Sequence, residues 1–343
     1  MTDTEIYTER LLEEKKLNNI AVSVEMGEEV LFECYRSADR KIDRKTLFDM
    51  ASVTKILSTT PLILLALDQK RISLEDSVSS FFDFPVREEY KRLKIENLLT
   101  HTMGIGHKSL NGEAVTNDNV AEYILNIPTD IAVGSDVLYS CPAFVLLGKI
   151  AEKVFGQSLD VLSEEKIFQP LHMTATCFLP KERTNIVNAN RISSELGTVN
   201  DYNARHLGGV AGNAGVFSDI EDLQKFTKML RNSGSPILSK EIFDTAVQNR
   251  TPNKSESRGL GFVYTDEKYD QTGKLFPIGS FGHCGHTGQS IFVDRVSGLS
   301  VIILSDMTKI SINEDGTENY AAVMKMRKEL HNAILTDLSE KRY

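Results

Sequence analysis

The chain has 343 residues, 41% hydrophobic and 25% charged, with 22 Gly, 9 Pro, 4 Cys and no Trp, which excludes collagen, a disordered tail and a disulfide-dense scaffold. Its 39 Lys and Arg against 48 Asp and Glu give a net charge of −9, and no basic cluster offers a footprint for a phosphate backbone, so no nucleic-acid partner is expected. At roughly 100 to 200 residues per domain, the length suits two domains or one large domain with an insertion.

Residues 1–20 alternate charges with Ile6, Leu11, Leu12 and Leu17, the pattern of an amphipathic helix and not of a signal peptide. Residues 20–24 and 30–35 are β-rich runs on either side of Gly27 and read as a hairpin. A helix is expected over 52–70, kinked or broken by Pro61, followed by a turn and short extended piece over 70–78. The apolar part of that helix, 61–67, is far below the roughly 18 to 20 residues of a bilayer span. A soluble, cytoplasmic protein without a membrane partner is the expectation.

From about 93 to 250 the pattern is helices and loops, with helices at 95–100, 119–126, 142–155 and 219–231, the last opened by a capping box of Ser218 and Glu221. Strand character returns at 260–265, 290–293 and 299–305, the last two joined by a Val296-Ser297-Gly298 turn. A closing helix carries Val323, Met326, Leu330, Ile334 and Leu338 at spacings of three and four, one stripe able to cover a sheet face. The fold class expected is α/β (α+β). Residues 1–90 and 260–343 build an antiparallel sheet flanked by helices, residues 91–259 form an inserted, mostly helical region, and a cleft lies between the two.

Ser52-Val53-Thr54-Lys55 sits where a helix begins, and a separation of three puts both side chains on one helical face. A serine hydroxyl attacks well only when its proton is taken, and a lysine disfavoured as an ammonium by burial or nearby cations can take it. Helix-start N–H groups and the helix dipole favour negative charge at the reacting centre. Ser163-Glu164-Glu165-Lys166 repeats the spacing in a charged, surface-like stretch and reads as a chance match.

The first copy has company. Phe48-Asp49-Met50-Ala51-Ser52-Val53-Thr54-Lys55, then Leu98-Leu99-Thr100-His101-Thr102-Met103-Gly104, then Tyr139-Ser140-Cys141, then a Gly-His-rich strand entry at Gly282 resemble in order the landmarks of the serine β-lactamase-like family. That family comprises class C β-lactamases, D,D-peptidases (penicillin-binding proteins), D-aminopeptidases and esterases. The 87 residues from Ser52 to Tyr139 and the Gly-rich segment from Leu207 to Ser218 are similar to it too.

The resemblance implies Ser52 as the acylated nucleophile, Lys55 as its hydrogen-bonded partner and Tyr139 as the phenol or phenolate that shuttles protons, with Lys55 as the cation that could lower the tyrosine pKa. The family's Lys-Thr-Gly or His-Thr-Gly landmark fits two registers. One is the literal His286-Thr287-Gly288; the other, preferred, is His283-Cys284-Gly285. The backbone N–H that would join Ser52 in an oxyanion hole is that of His286 in the preferred register and of Gln289 in the literal one.

Two departures bear on the substrate. Cys141 stands where family members acting on β-lactams or peptides commonly carry Asn, and a thiol is a weak partner for an amide. In the preferred register Cys284 replaces Thr, so both thiols would line one cleft, and His283 replaces a permanent cation. His101 is expected to be a structural hydrogen-bonding residue behind the cleft.

Cys34, Cys141, Cys177 and Cys284 are scattered, with no Cys-x-x-Cys pair, so reduced thiols are expected. His283, Cys284 and His286 have no partners at metal-site spacing, so neither metal nor cofactor is expected. The glycines from Gly208 to Gly215 lack phosphate-loop spacing and read as close packing at the cleft wall; no Gly-x-Ser-x-Gly elbow is present. The expected function is a serine hydrolase forming an acyl-enzyme on Ser52, with a small ester or amide as substrate. Its rivals are a D,D-peptidase or weak β-lactamase, and a catalytically quiet binding or sensor module.

Overall fold

The opening charged-apolar alternation folds as α1 (Asp3–Glu13), in a computed structural model that describes residues 1–180, 182–189, 193–307 and 319–343. Its start is a capping box: the Thr2 hydroxyl accepts from the Glu5 N–H and the Glu5 carboxylate from the Thr2 N–H. The runs around Gly27 pair as β1 (Asn19–Met26) and β2 (Glu29–Ser37), with Gly27 at φ +61 as the tight turn requires.

β3 (Phe48–Asp49) leads into a helical run from Ala51 to Asp68: a 3-10 turn (Ala51–Val53), a π-turn (Lys55–Thr59) and α2 (Thr60–Asp68). Pro61 does not end this run. In the π-turn the Thr60 N–H reaches back to the Lys55 carbonyl, so the register changes just before the proline, whose missing N–H falls in the first turn of α2.

Then follow α3 (Ile95–Leu99), α4 (Val120–Ile124), α5 (Cys141–Phe155), α6 (Leu159–Ser163), β4 (Cys177–Phe178), α7 (Tyr202–His206), β5 (Val216–Ser218), α8 (Ile220–Arg231) and α9 (Lys240–Ala246). The chain closes with β6 (Val263–Tyr264), β7 (Phe281–Cys284), β8 (Ser290–Asp294), β9 (Leu299–Ser305) and α10 (Tyr320–Ser339).

Three local expectations change. The cap of α8 is Asp219, whose carboxylate accepts the Asp222 N–H at 2.9 Å, whereas Ser218 ends β5 and shares a hydrogen bond with Thr176. The strand expected over 260–265 shortens to β6 because Gly261 takes φ +82 and donates its N–H to the Leu99 carbonyl. The middle of the chain also holds two strands, β4 and β5, which with β3 form a small antiparallel sheet. Strands of two or three residues are too short to show alternation in the sequence.

Among the described residues six strands form the main antiparallel sheet in the order β2-β1-β9-β8-β7-β6, so the two ends of the chain meet where Val22 pairs with Ile303. One face, with Ile20, Val22, Val301 and Ile303, packs under α1 and α10; the other, with Ala21, Ile302 and Leu304, belongs to the core that holds α2 and α5. The α10 stripe of Val323, Met326, Leu330 and Ile334 is buried, each side chain contributing about 1.5 to 3 kcal/mol. Asp337 on the same helix caps α1, accepting the Asp3 and Thr4 N–H groups at 2.8 Å each. Ala51–Asp68 is apolar over a length that could cross a membrane, yet most of it is enclosed within the protein, in contact with α5, α6 and α9.

Candidate active site

Ser52 is presented by a strained turn. The Phe48↔Ser218 and Asp49↔Phe217 pairs, extended by Met50 N–H to the Val216 carbonyl, hold β3 against β5. Ala51 then takes φ +44, unfavourable for a residue with a Cβ, so the chain turns from strand to helix within one residue. Asp49 secures the turn: its carboxylate accepts the N–H of Ala51 at 2.8 Å and of Asn200 at 2.6 Å, and burial pushes its pKa up to about 6.

Lys55, one helical turn on, is fully buried. Its Nζ donates to Ser52 Oγ at 2.9 Å, to the Asn213 carbonyl at 3.0 Å and to Cys141 Sγ at 3.7 Å. Burial holds the Lys55 pKa below its usual 10.5. A neutral amine hydrogen-bonded to a hydroxyl is an arrangement that can accept the hydroxyl proton.

Tyr139 precedes α5, whose N-cap is Ser140 and whose first residue is Cys141. Lys55 Nζ lies over its ring, 5.1 Å from the centroid, so the amine meets the π-face. The phenolate that the resemblance admits is disfavoured: burial raises the Tyr139 pKa well above 10, against a smaller opposite pull from Ser52. Tyr139 is a phenol here. Its neighbours are two buried imidazoles, His101 at 4.6 Å and His283 at 6.2 Å between ring centroids.

Both imidazoles are held neutral, burial lowering each pKa well below 6.5 with Lys55 and Arg258 adding to it. His101 Nδ1 accepts the Ser140 N–H at 3.0 Å, so Nε2 carries its proton; His283 Nδ1 lies 2.8 Å from the Cys284 carbonyl and must donate, so its Nε2 is an acceptor. Neither Nε2 has a hydrogen-bond partner among the described residues. Nothing in the sequence singles out Arg258, yet this buried guanidinium lies 5.6 Å from the Tyr139 ring centroid, paired with Glu256 and hydrogen-bonded to the Tyr269 hydroxyl at 3.3 Å.

Of the two registers, the structure brings His283 and Gly285 to the Ser52 turn. A Cβ on Gly285 would lie 2.9 Å from the Met50 carbonyl and 3.2 Å from Ala51 Cβ. Thr287 and Gln289 meet that turn one step further back, both donating to the Asp49 carbonyl, at 3.5 and 2.6 Å, while the Thr287 carbonyl accepts the Met307 N–H and the Ser305 hydroxyl and the Gln289 amide also donates to the Ser305 carbonyl. His286 is half-buried just past the end of β7.

Cys284 does not line the cleft. Alternation along β7 puts His283 on the Ser52 side and Cys284 on the other, within the α1/α10 cluster and 3.9 Å from Ser290 Oγ. Cys141 touches Lys55, so the two thiols lie on opposite faces of the sheet and do not form one pocket.

The Gly-rich segment works as close packing. A Cβ on Gly212 would sit 2.0 Å from the Phe144 carbonyl oxygen of α5, and the Gly212 carbonyl accepts the Thr59 hydroxyl at 2.7 Å. Gly212→Ala should therefore force α5 away from this turn, costing about 3 kcal/mol and shifting the Asn213 carbonyl from Lys55. A lowered urea midpoint with reduced activity is the expected result; an unchanged midpoint would show that the backbones are not in contact. Ser163, expected at the surface, is fully buried and bonded to Ser58 Oγ at 2.6 Å, with no Lys166 contact to its hydroxyl among the described residues.

The sequence matches the Beta-lactamase family over residues 7–323. It is 29% identical over 300 residues to an Escherichia coli O157:H7 protein named "Putative D-alanyl-D-alanine carboxypeptidase", covering 76% of this chain and 69% of that one. It is 26% identical over 305 residues to the N-acetylmuramyl-L-alanine amidase of Bacillus subtilis (strain 168), covering 78% and 69%. Among solved structures, EstCE1, a hydrolase with promiscuous acyltransferase activity, shares the fold with a TM-score of 0.77 at 19% identity over 97% of each chain.

Proposed function

The chain belongs to the beta-lactamase family of serine hydrolases, and from that premise we propose that it cleaves a small ester or amide through an acyl-enzyme on Ser52. The observation that carries this reading is the buried Lys55 amine 2.9 Å from Ser52 Oγ, its pKa lowered by burial. In the reaction Ser52 Oγ bonds to the substrate carbonyl carbon while its proton passes to neutral Lys55. The tetrahedral oxyanion rests on the N–H groups of Ser52 and His286, neither engaged in a backbone hydrogen bond among the described residues. Collapse breaks the bond to the leaving group, which takes a proton from Tyr139, and the Lys55 ammonium returns its proton to Tyr139. Water then adds to the acyl carbon and loses a proton to Lys55; collapse breaks the bond from that carbon to Ser52 Oγ, the Lys55 ammonium returns the proton to Oγ, and the acid leaves with Ser52 and neutral Lys55 restored.

Cys141 favours an ester or small acyl group, because a thiol already against Lys55 offers a substrate amide little hydrogen bonding. A second reading, hydrolysis of a D-alanyl-D-alanine peptide as the name of the Escherichia coli relative would have it, draws on Arg258, a buried cation near the site suited to a terminal carboxylate. Labelling separates the readings. A fluorophosphonate probe should label the folded protein; a fluorescent penicillin should label it far more slowly, whereas equal labelling would favour the peptidase. No fluorophosphonate labelling would leave the binding module.

The pH profile follows from the two shifts. Activity needs neutral Lys55, so kcat/KM for a p-nitrophenyl ester should rise with pH along one limb centred below 10.5 and then level. Tyr139, pushed well above 10, should add no descending limb below that pH. The rising limb should persist at lower amplitude in Tyr139→Phe; its disappearance there would make the tyrosine the base.

A further inference from the structure

Arg327 on α10 lies in the apolar stripe between Met326 and Leu330, fully buried. Its Nη2 donates to the Gly285 carbonyl at 3.0 Å, its Nη1 faces Met324 Sδ at 3.9 Å, and its Nε has no hydrogen-bond partner. Among the described residues no carboxylate lies within ion-pair distance of it. A Met or Leu would fill the same stripe without the penalty of burying a cation, and guanidinium cannot shed its charge at any working pH. The contact it makes is with one peptide group beside the Ser52 turn.

That peptide group joins Gly285 to His286. A trans peptide sends its C=O and N–H in opposite directions, so a carbonyl turned to α10 and Arg327 turns the His286 N–H the other way. Gly285 itself abuts Met50 and Ala51, the residues before Ser52, and the Gly288 N–H also donates to the Gly285 carbonyl at 3.1 Å, which fixes the plane. We infer that Arg327 is a positioning residue for the oxyanion hole, orienting the Gly285–His286 peptide and polarising it so that its N–H donates more strongly to the charge that develops on the substrate oxygen. The inference rests on the acyl-enzyme reading of Ser52. A fixed cation drawing on the carbonyl end of a peptide makes the N–H end more positive, and in a water-poor interior that field is weakly screened. The effect belongs to the transition state, because the ground-state carbonyl oxygen carries little charge.

The test uses the full chain with p-nitrophenyl butyrate, active sites being counted by fluorophosphonate titration, and compares Arg327→Met, Arg327→Gln and Arg327→Lys with the starting protein. The neutral variants should lose on the order of tenfold to a hundredfold in kcat with KM within about twofold, and phenylboronic acid, whose adduct with Ser52 is tetrahedral and anionic, should bind more weakly by a similar factor. Arg327→Lys should recover most of both losses. A purely structural role would lower the melting temperature and leave kcat per titrated site and the boronate constant unchanged, and that result overturns the inference, as does a loss confined to KM. Should Arg327→Met not fold, Arg327→Gln decides by the same pair of measurements. Ser52→Ala separates the two levels: turnover surviving in it removes the acyl-enzyme reading and this inference together, whereas an inactive Ser52→Ala beside an unimpaired Arg327→Met removes this inference alone.

Discussion

Ser52→Ala should abolish hydrolysis of p-nitrophenyl esters, by on the order of 10⁴-fold or more, while the protein stays folded. The loss is large because the hydroxyl is the proposed atom of covalent attachment, and Ser163, which repeats the Ser-x-x-Lys spacing, cannot replace it, being sealed in the core against Ser58 and the Leu159 carbonyl. The fold should survive because Lys55 keeps the Asn213 carbonyl and Cys141 Sγ as partners, so removing the hydroxyl costs only about 0.5 to 1.5 kcal/mol. Intact-mass spectrometry of the starting protein, quenched during turnover, should locate the acyl group on Ser52. An adduct elsewhere, or undiminished turnover in the mutant, would remove the serine from the mechanism.

Lys55→Met and Tyr139→Phe should each cost on the order of 10² to 10⁴-fold in kcat/KM, and the double mutant should be no more than about tenfold worse than the weaker single mutant. The two side chains touch one proton path. Lys55 Nζ bonds to Ser52 Oγ and lies 5.1 Å from the Tyr139 ring centroid. Breaking that path at either point leaves the other group little to do, so their free energies should not add. Losses that multiply fully would mean that lysine and tyrosine serve separate steps. Lys55→Met should also keep the fold, because a thioether of similar length occupies the same buried channel and removes a desolvated amine.

What the linear sequence determined is local or ordered along the chain. The spacing of Ser52 and Lys55 is one helical turn, Gly27 sits between two β-rich runs, and the α10 stripe repeats every three or four residues, so periodicity alone places the Ser52–Lys55 pair, the hairpin and the helix that covers the sheet. Tyr139 carried weight through its order between Ser52 and the strand entry at Gly282, which ties the residues to the Beta-lactamase family over 7–323. Tertiary structure decided what depends on facing and burial. His283 and Cys284 are neighbours, yet the pleat turns one toward Ser52 and the other toward α10, and no motif states which residue of a pair faces which way until the strand is paired. Arg258 and Arg327 look like ordinary charges in the sequence and become buried cations only when segments far apart in the chain close over them. The protonation states follow the same rule. The sequence orders an amine and a phenol along the chain, and only the depth at which both are buried lowers the Lys55 pKa and raises that of Tyr139, because desolvation acts on each charged form through all the atoms around it and not through the residue next in line.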